Sequence, residues 1–90
     1  MSTKKTSHRE AKILVSDDDQ NVRFLTRQCL EAEGMTVVEA SNGHDALAAF
    51  VRERPDLVFL DVEMPGMSGL EVCRRIRTMP QGETIPIMIV

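Results

Sequence analysis

Short apolar runs alternate with amphipathic segments along most of this 90-residue chain. Runs rich in Val, Ile and Leu predict four strands, at residues 12–16, 35–39, 57–60 and 86–90. Apolar residues at helical spacing predict three helices between them, at residues 20–33, from Asn42 to before Pro55, and from Ser68 to before Thr78. Because the strands are apolar throughout and alternate with helices, the pattern indicates an α/β fold, with a parallel sheet covered on both faces.

Polar residues mark where the predicted helices begin. Asp19 is expected to cap the first helix. The other two helices begin with capping-box patterns, Asn42 with Asp45 and Ser68 with Glu71. The residues expected to face inward are Val22, Leu25, Cys29 and Leu30 in the first helix, Ala46, Leu47 and Phe50 in the second, and Leu70, Cys73 and Ile76 in the third.

The composition is that of one small globular domain, with 42% hydrophobic, 28% charged and 3% aromatic residues. Residues 1–11 are polar and are expected to form a disordered leader, which leaves 12–90 as the folded unit. Residues 1–12 carry a net charge of +3 and residues 13–90 a net charge of −6. An acidic domain without a basic stripe argues against direct nucleic-acid binding by this segment.

The two cysteines, Cys29 and Cys73, have no pairing pattern and are expected to be buried, reduced thiols. Reduced thiols fit a reducing compartment. The first residues lack the apolar segment of a signal peptide, and no apolar run approaches the roughly 20 residues that span a bilayer. We therefore expect a cytoplasmic protein that does not act at a membrane.

Two of the predicted strands end in acidic residues. The first strand is followed by Asp17, Asp18 and Asp19, and the third by Asp61. Ligands of doubly wound sheets bind beyond the carboxyl ends of the strands, so Asp17, Asp18 and Asp61 are expected to share a pocket if those strands are neighbours. Three carboxylates there would repel one another. Mg²⁺ prefers oxygen ligands, and its positive charge would relieve the repulsion.

These segments resemble a known family. ILVSDDD, residues 13–19, is similar to the first strand and acidic pair of bacterial two-component response-regulator receiver domains, which are CheY-like. DVEMPGMSG, residues 61–69, resembles their phosphoacceptor loop, and residues 40–47 and 72–77 are also similar. The resemblance covers residues 12–90. It implies a flavodoxin-like, doubly wound parallel sheet with strand order 2-1-3-4(-5), whose last strand and helices are missing from this chain.

The resemblance also implies roles for the acidic residues. Asp61 would accept a phosphoryl group from a sensor histidine kinase or a phosphotransfer protein and would switch an output. Asp18 would bind Mg²⁺ directly and Asp17 largely through a water, while Asp61 and the backbone carbonyl of Glu63 would complete the metal site. The protein would be a signalling switch rather than an enzyme, with self-phosphotransfer and autodephosphorylation as its only chemistry.

The sequence departs from the family pattern at three points. Ser16 stands where an aliphatic residue is commoner, and Ser68 stands where Asp is usual. Family members also carry a switch Thr or Ser after the fourth strand and a Lys after the fifth, and the sequence stops before both. The apolar run 86–90 has no following helix to cover it, so we expect a receiver domain truncated after its fourth strand; the alternative is that another chain covers this flank.

Two other functions remain open from the sequence. One is a small Mg²⁺-dependent phosphohydrolase with Asp61 as nucleophile, although Glu63 stands where such enzymes place a second Asp. The other is a receiver-like interaction module that never carries phosphate. A homodimer and a C-terminal output domain are also left open, and residues 79–83 resemble the loop of receivers joined to cyclic-di-GMP synthesis or breakdown domains.

Overall fold

All four apolar runs form parallel strands in the computed structural model, which describes residues 10–90. The strands are β1 Lys12–Ser16, β2 Thr36–Ala40, β3 Leu57–Leu60 and β4 Ile87–Ile89. Their order across the sheet is β2-β1-β3-β4, which confirms the predicted α/β fold and strand order 2-1-3-4. β1 and β3 are therefore neighbours, with Ser16 opposite Leu60. The residues that follow these two strands leave the sheet at the same edge.

Three α-helices connect these strands within residues 10–90. They are α1 Gln20–Ala32, α2 Gly43–Glu53 and α3 Gly69–Arg77. A short 3-10 helix, Pro80–Gly82, lies in the segment predicted as a loop between α3 and β4. None of the described helices is long and apolar enough to cross a membrane.

The predicted helix caps are present. The Asp19 carboxylate accepts hydrogen bonds from the backbone at the start of α1, and the Asn42 side chain accepts one from the Asp45 N–H. The Ser68 hydroxyl accepts one from the Glu71 N–H at 3.2 Å. The second half of the predicted capping box at α3 is absent among the bonds of the described chain, because the Glu71 carboxylate pairs with two arginines of its own helix instead.

Strand β2 begins one residue later than the pattern predicted. The Met35 N–H donates to the Leu30 carbonyl and so belongs to the turn that ends α1, in which Gly34 has a φ of +87°. Thr36 is the first strand residue, and its N–H donates to the Ala11 carbonyl. A disordered leader was predicted for residues 1–11, and residues 1–9 of it lie outside the described residues.

The main core lies between the sheet and helices α2 and α3. Leu14, Val58 and Leu60 of the sheet are inaccessible to solvent there, and Phe50 and Ile76 pack against them from the two helices. Ala46 and Phe50 were predicted to face inward and do so, as does Ile76, whereas Leu70 is 56% exposed. Near the start of α3 the buried side chain is that of Val72, two residues after Leu70.

The opposite face of the sheet carries a smaller core under α1. Ile13, Val15 and Val37 are buried there, with Leu30 of α1 packed against them. No residue of α1, all of which is described, is fully buried. The prediction that Val22, Leu25 and Cys29 face inward is therefore wrong, since Val22 is 43% exposed, Leu25 is 61% exposed and Cys29 is exposed. Cys73 is partly buried and is also a free thiol.

Candidate metal centre

Backbone hydrogen bonds deliver two acidic residues to the same edge of the sheet. The Asp61 N–H donates to the Ser16 carbonyl at 2.9 Å, which continues the pairing of β1 with β3 by one residue. The Asp17 N–H donates to the Ala40 carbonyl at 3.1 Å, which does the same for β1 and β2. The backbones of Asp17 and Asp61 are thus extensions of the sheet, held by the same kind of hydrogen bond as the strands.

Three of the predicted site residues come together at this edge. Carboxylate oxygens of Asp17, Asp18 and Asp61 all lie within 4.8 Å of one another. Asp18 is exposed, while Asp17 and Asp61 are partly buried. The cluster is therefore open to solvent on one side and enclosed by the sheet edge on the other.

Backbone N–H groups hold two of these carboxylates. Oδ1 of Asp17 accepts from the Asp19 N–H at 2.9 Å, and Oδ1 of Asp61 accepts from the Glu63 N–H at 3.2 Å. Each bond closes an Asx turn, which fixes the side chain relative to its own loop. Glu63 itself is exposed, and its recorded contact with the cluster is this N–H group.

The environment of Asp17 disfavours its charged form. Burial raises the pKa of the Asp17 carboxyl, and the charges of Asp61, Asp18 and Asp19 raise it further, while the hydrogen bond from the Asp19 N–H opposes them. A carboxylate that is both desolvated and surrounded by like charges gains from a nearby cation. The cluster therefore has an electrostatic reason to bind a positive ion.

The donor atoms indicate which ion fits. The cluster consists of carboxylate oxygens, which suit hard divalent cations such as Mg²⁺, and it contains neither imidazole nor thiolate. Its open side leaves room for the water molecules that Mg²⁺ retains when it binds to proteins. The residues present therefore fit a magnesium ion.

An apolar groove of about 160 Å³ adjoins the cluster. Most of its lining is apolar and comes from α1 and the sheet, including Val15, Val22, Phe59 and Leu60. Asp17 and Asp61 also line it. A low-polarity wall strengthens the electrostatic interactions of the charges beside it.

The loop after Asp61 is held by close backbone packing. The Gly69 N–H donates to the Val62 carbonyl at 2.9 Å, and a Cβ atom on Gly69 would lie 2.1 Å from the Asp61 carbonyl oxygen. Only glycine fits at that distance. Gly66, at the tip of the loop, has a φ of +80°, which a residue with a side chain rarely adopts.

Three contacting residues near the cluster were missed by the sequence reasoning as parts of the site. Ser16 is 1% exposed, and its hydroxyl donates to the sulfur of Met64 at 3.3 Å, which ties the end of β1 to the loop after Asp61. Arg23 donates to the Asp17 carbonyl at 2.7 Å. A single Arg one helical turn after the capping Asp19 was the available signal for the second contact.

Comparisons with known proteins identify the family to which this arrangement is similar. A family model described as the response regulator receiver domain matches residues 13–90. Sporulation initiation phosphotransferase F of Bacillus subtilis is 39% identical over 77 residues, which are 86% of this chain and 62% of that protein. The transcriptional regulatory protein ResD of the same organism is 48% identical over 68 residues, or 76% of this chain and 28% of ResD. The chain thus spans less than two thirds of the length of either relative.

Solved structures are similar in the same way. The chemotaxis protein CheY4 of Vibrio cholerae superposes with a TM-score of 0.88 at 33% identity, covering 90% of this chain and 68% of that one. The N-terminal domain of a response regulator receiver protein from Methanoculleus marisnigri gives a TM-score of 0.83 at 36% identity, covering 87% and 63%. At these identities, the likeness extends to sequence as well as to fold.

Proposed function

The chain belongs to the response regulator receiver domain family, and on that premise we propose that Asp61 accepts a phosphoryl group in a two-component phosphorelay. The family consists of signalling switches. In this proposal residues 12–90 form the receiver unit, and the phosphoryl donor is the phosphohistidine of a cytoplasmic sensor kinase or phosphotransfer protein. Phosphorylation of Asp61 would then change the surface that the chain presents to an output partner.

One observation carries this proposal most directly. Asp61 stands at the carboxyl end of a central strand, with carboxylate oxygens of Asp17 and Asp18 within 4.8 Å of its own. Three carboxylates this close repel one another, so the cluster is unfavourable without a cation. Together the three carboxylates would hold a metal ion, whose positive charge would offset the negative charge of the nucleophile and the incoming phosphoryl group.

The chemistry assigned to Asp61 is a simple phosphoryl transfer. A carboxylate oxygen of Asp61 attacks phosphorus in line with the bond to the donor nitrogen. The new bond from oxygen to phosphorus forms as the bond from phosphorus to nitrogen breaks, and the electron pair of that bond stays with the donor. The product is an acyl phosphate. The hydrogen bond from the Glu63 N–H to Oδ1 orients the carboxylate before the attack.

Asp18, Asp17 and Asp61 would hold the magnesium ion by their side chains, and Glu63 by its backbone carbonyl. When bound, the ion supplies positive charge that offsets the repulsion between the carboxylates and the phosphoryl oxygens. Asp17 and Asp61 are suited to this task because their backbones are anchored to the sheet. Glu63 is exposed, so its side chain would be accessible to an arriving donor.

The test is phosphorylation of the purified 90-residue chain by a small-molecule phosphodonor in the presence of Mg²⁺. Intact-mass measurement should show one added phosphoryl group, and hydroxylamine should remove it because this nucleophile cleaves acyl phosphates. Asp61→Asn should abolish the adduct, since an amide is not a nucleophile for this reaction. Asp56→Asn is a matched control and should leave the adduct unchanged, because Asp56 precedes β3, at the opposite end of the strand from Asp61.

Three outcomes would contradict the proposal. They are an unmodified wild-type chain, an adduct that persists in Asp61→Asn, and an adduct formed equally well in the presence of a chelator. Repeated turnover of a phosphate ester would instead favour a phosphohydrolase.

A further inference from the structure

We infer that Arg23 is a positioning residue for the metal site, and that Glu39 holds Arg23 in place. Arg23 is on α1 and Glu39 is on β2, and neither belongs to the acidic cluster. The inference rests on the metal requirement of the proposed function. It assigns to two residues outside the cluster the task of fixing the peptide that joins the two neighbouring aspartates.

The contacts of Arg23 are short and use two sides of its guanidinium group. Nη1 donates to the backbone carbonyl of Asp17 at 2.7 Å, and Nε donates to Oε1 of Glu39 at 3.1 Å. The Arg23 side chain is 15% exposed and the Glu39 side chain 28% exposed. A planar guanidinium bound on two sides has little rotational freedom, so its position on the Asp17 carbonyl is well defined.

The Asp17 carbonyl is the point at which the two aspartates are linked. Rotation of the peptide between Asp17 and Asp18 would swing the exposed Asp18 carboxylate away from Asp61. The N–H group on the other side of Asp17 is already fixed by the Ala40 carbonyl of β2. With Arg23 bound to Glu39, also of β2, the end of one strand holds Asp17 through both its N–H and its carbonyl.

The loop of Asp17 and Asp18 is acidic and partly open to solvent. Asp18 is exposed, and burial, followed by the like charges around it, raises the pKa of the Asp17 carboxyl. The hydrogen bond from Arg23 holds this loop by the backbone carbonyl of Asp17, so it leaves the carboxylate oxygens free to bind a metal ion. Partners of this kind, one step removed from the ligands, commonly change metal affinity by about 10-fold to 100-fold when they are removed.

Arg27 provides a matched control one helical turn away. Its Nη1 donates to Oε2 of the same Glu39 at 2.7 Å, and its Nε donates to Oε2 of Glu31 at 2.9 Å. Within the described residues, its recorded contacts are with these two carboxylates and not with the Asp17 loop. Arg23→Gln and Arg27→Gln therefore each remove one arginine from Glu39, but only the first releases the Asp17 carbonyl.

The experiment is a titration of the 90-residue chain with MnCl₂, in which free Mn²⁺ is read by electron paramagnetic resonance. Mn²⁺ prefers the same oxygen ligands as Mg²⁺. Arg23→Gln should raise the dissociation constant by about 10-fold, and Arg27→Gln should leave it within about 2-fold of the wild type. Circular dichroism at the titration temperature measures the folded fraction of each variant, which separates loss of binding from loss of fold.

Glu39→Gln keeps the test decisive if Arg23→Gln does not fold. The amide removes the charge that orients Arg23 but leaves the Asp17 carbonyl and the arginine in place, so we expect a weaker effect, a rise in the dissociation constant of less than about 10-fold. Equal Mn²⁺ affinity in the wild type and in a folded Arg23→Gln, or in Glu39→Gln when Arg23→Gln is unfolded, overturns the inference.

Failure of the proposed function has a different signature. A wild-type chain that binds no Mn²⁺ contradicts the metal site itself, and the inference with it. A wild-type chain that binds Mn²⁺ but takes no phosphoryl group contradicts only the phosphoacceptor role. An affinity that falls equally in Arg23→Gln and Arg27→Gln shows that the charge of Glu39, rather than the peptide anchor, is what matters, and this too overturns the role given to Arg23.

Discussion

The two faces of the sheet are held by different kinds of interaction. On the face covered by α2 and α3, interior side chains such as Leu14 and Phe50 are at most 1% exposed. On the face covered by α1, the sheet contributes Ile13 and Val15, but no residue of the described helix α1 is fully buried. Adjacent residues of the same strand therefore have different tasks, because side chains alternate across a sheet.

The contrast shows how stability and site geometry are divided. Apolar packing under α2 and α3 provides most of the burial, whereas α1 contacts the site through charged groups, with Arg23 bound to the Asp17 carbonyl and to Glu39. The acidic cluster follows β1 and β3, the two central strands of the sheet. Changes on the first face should unfold the chain, and changes on the second should alter the site while the fold persists.

The largest expected effect comes from truncating the main core. Phe50→Ala removes a side chain that is 1% exposed and should lower the free energy of unfolding by about 3–5 kcal/mol. Leu25→Ala on α1, where the side chain is 61% exposed, should change it by less than about 0.5 kcal/mol. Urea denaturation followed by circular dichroism measures both. Similar losses in the two variants would show that α1 buries far more apolar surface than its exposure indicates.

A smaller loss is expected where α3 meets the loop after Asp61. Gly69→Ala places a methyl group 2.1 Å from the Asp61 carbonyl oxygen, so the backbone must shift at a cost of about 2 kcal/mol. It should also reduce phosphorylation because Asp61 moves with its carbonyl. Gly66→Ala has no neighbour within 4 Å but has a positive φ, so it should cost about 1 kcal/mol and leave the Asp61 backbone in place. Unfolding and intact mass should be measured on both variants.

Strand positions and strand order were predictable because they depend on patterns that tolerate little ambiguity. β1 and β3 agree with the predicted ranges at every residue, since each is a short apolar run that ends at an acidic or polar residue. Their neighbouring positions brought Asp17 and Asp61 together, as predicted from the strand ends. The family resemblance supplied the strand order that periodicity alone leaves open.

Other features depend on tertiary contacts that a linear pattern does not contain. The helical spacing of Leu25 and Cys29 predicts a buried face for any amphipathic helix, but the spacing does not state how much of the sheet that helix covers. Arg23 could not be recognised as a site residue from the sequence, because it binds a backbone carbonyl, which every residue carries. Ser16 was noted as a minor departure, and only the fold shows its hydroxyl against the sulfur of Met64.

Magnesium should stabilise the folded chain through binding at the acidic cluster. A ligand that binds only the folded state adds about 1.4 kcal/mol at ten times its Kd. We therefore expect MgCl₂ to raise the Tm of the wild type and not that of Asp18→Asn, whose exposed carboxylate contributes to the cluster. Thermal melts with KCl at matched ionic strength control for screening. An equal rise in both proteins would mean that the ion acts elsewhere.

Glu39 should give a pH-dependent contribution of about 1 kcal/mol. Hydrogen bonds from Arg27 and then Arg23 lower the pKa of the Glu39 carboxyl, against the opposing effect of burial. Because the folded-state pKa is lowered, this contribution is present above the unfolded pKa of about 4.3 and is lost as the pH falls through the folded value. The stability difference between wild type and Glu39→Gln should therefore be largest near neutral pH and shrink in acid.

A matched variant isolates this effect from general acid denaturation. Glu33→Gln removes an exposed carboxylate at the C-cap of α1 and so measures the effect of losing one surface carboxylate. Urea midpoints at several pH values measure both variants. A Glu39→Gln difference that does not vary with pH would mean that the ion pairs with Arg23 and Arg27 contribute nothing to stability.

The smallest effect is expected at Asp17, where its sign should reverse with metal. Burial, then the charges of its acidic neighbours, raise the pKa of this carboxyl, so its ionised form destabilises the metal-free fold near neutral pH. Asp17→Asn should then stabilise the metal-free chain by a few tenths of a kcal/mol, and the gain should vanish as the pH falls and the wild-type carboxyl is protonated. With MgCl₂, Asp17→Asn should be less stable than the wild type because it has lost a metal ligand. Its amide oxygen can still accept the hydrogen bond from the Asp19 N–H, so the turn itself is kept. A variant that is destabilised both with and without metal would show that Asp17 supports the fold of the loop more than it repels its neighbours.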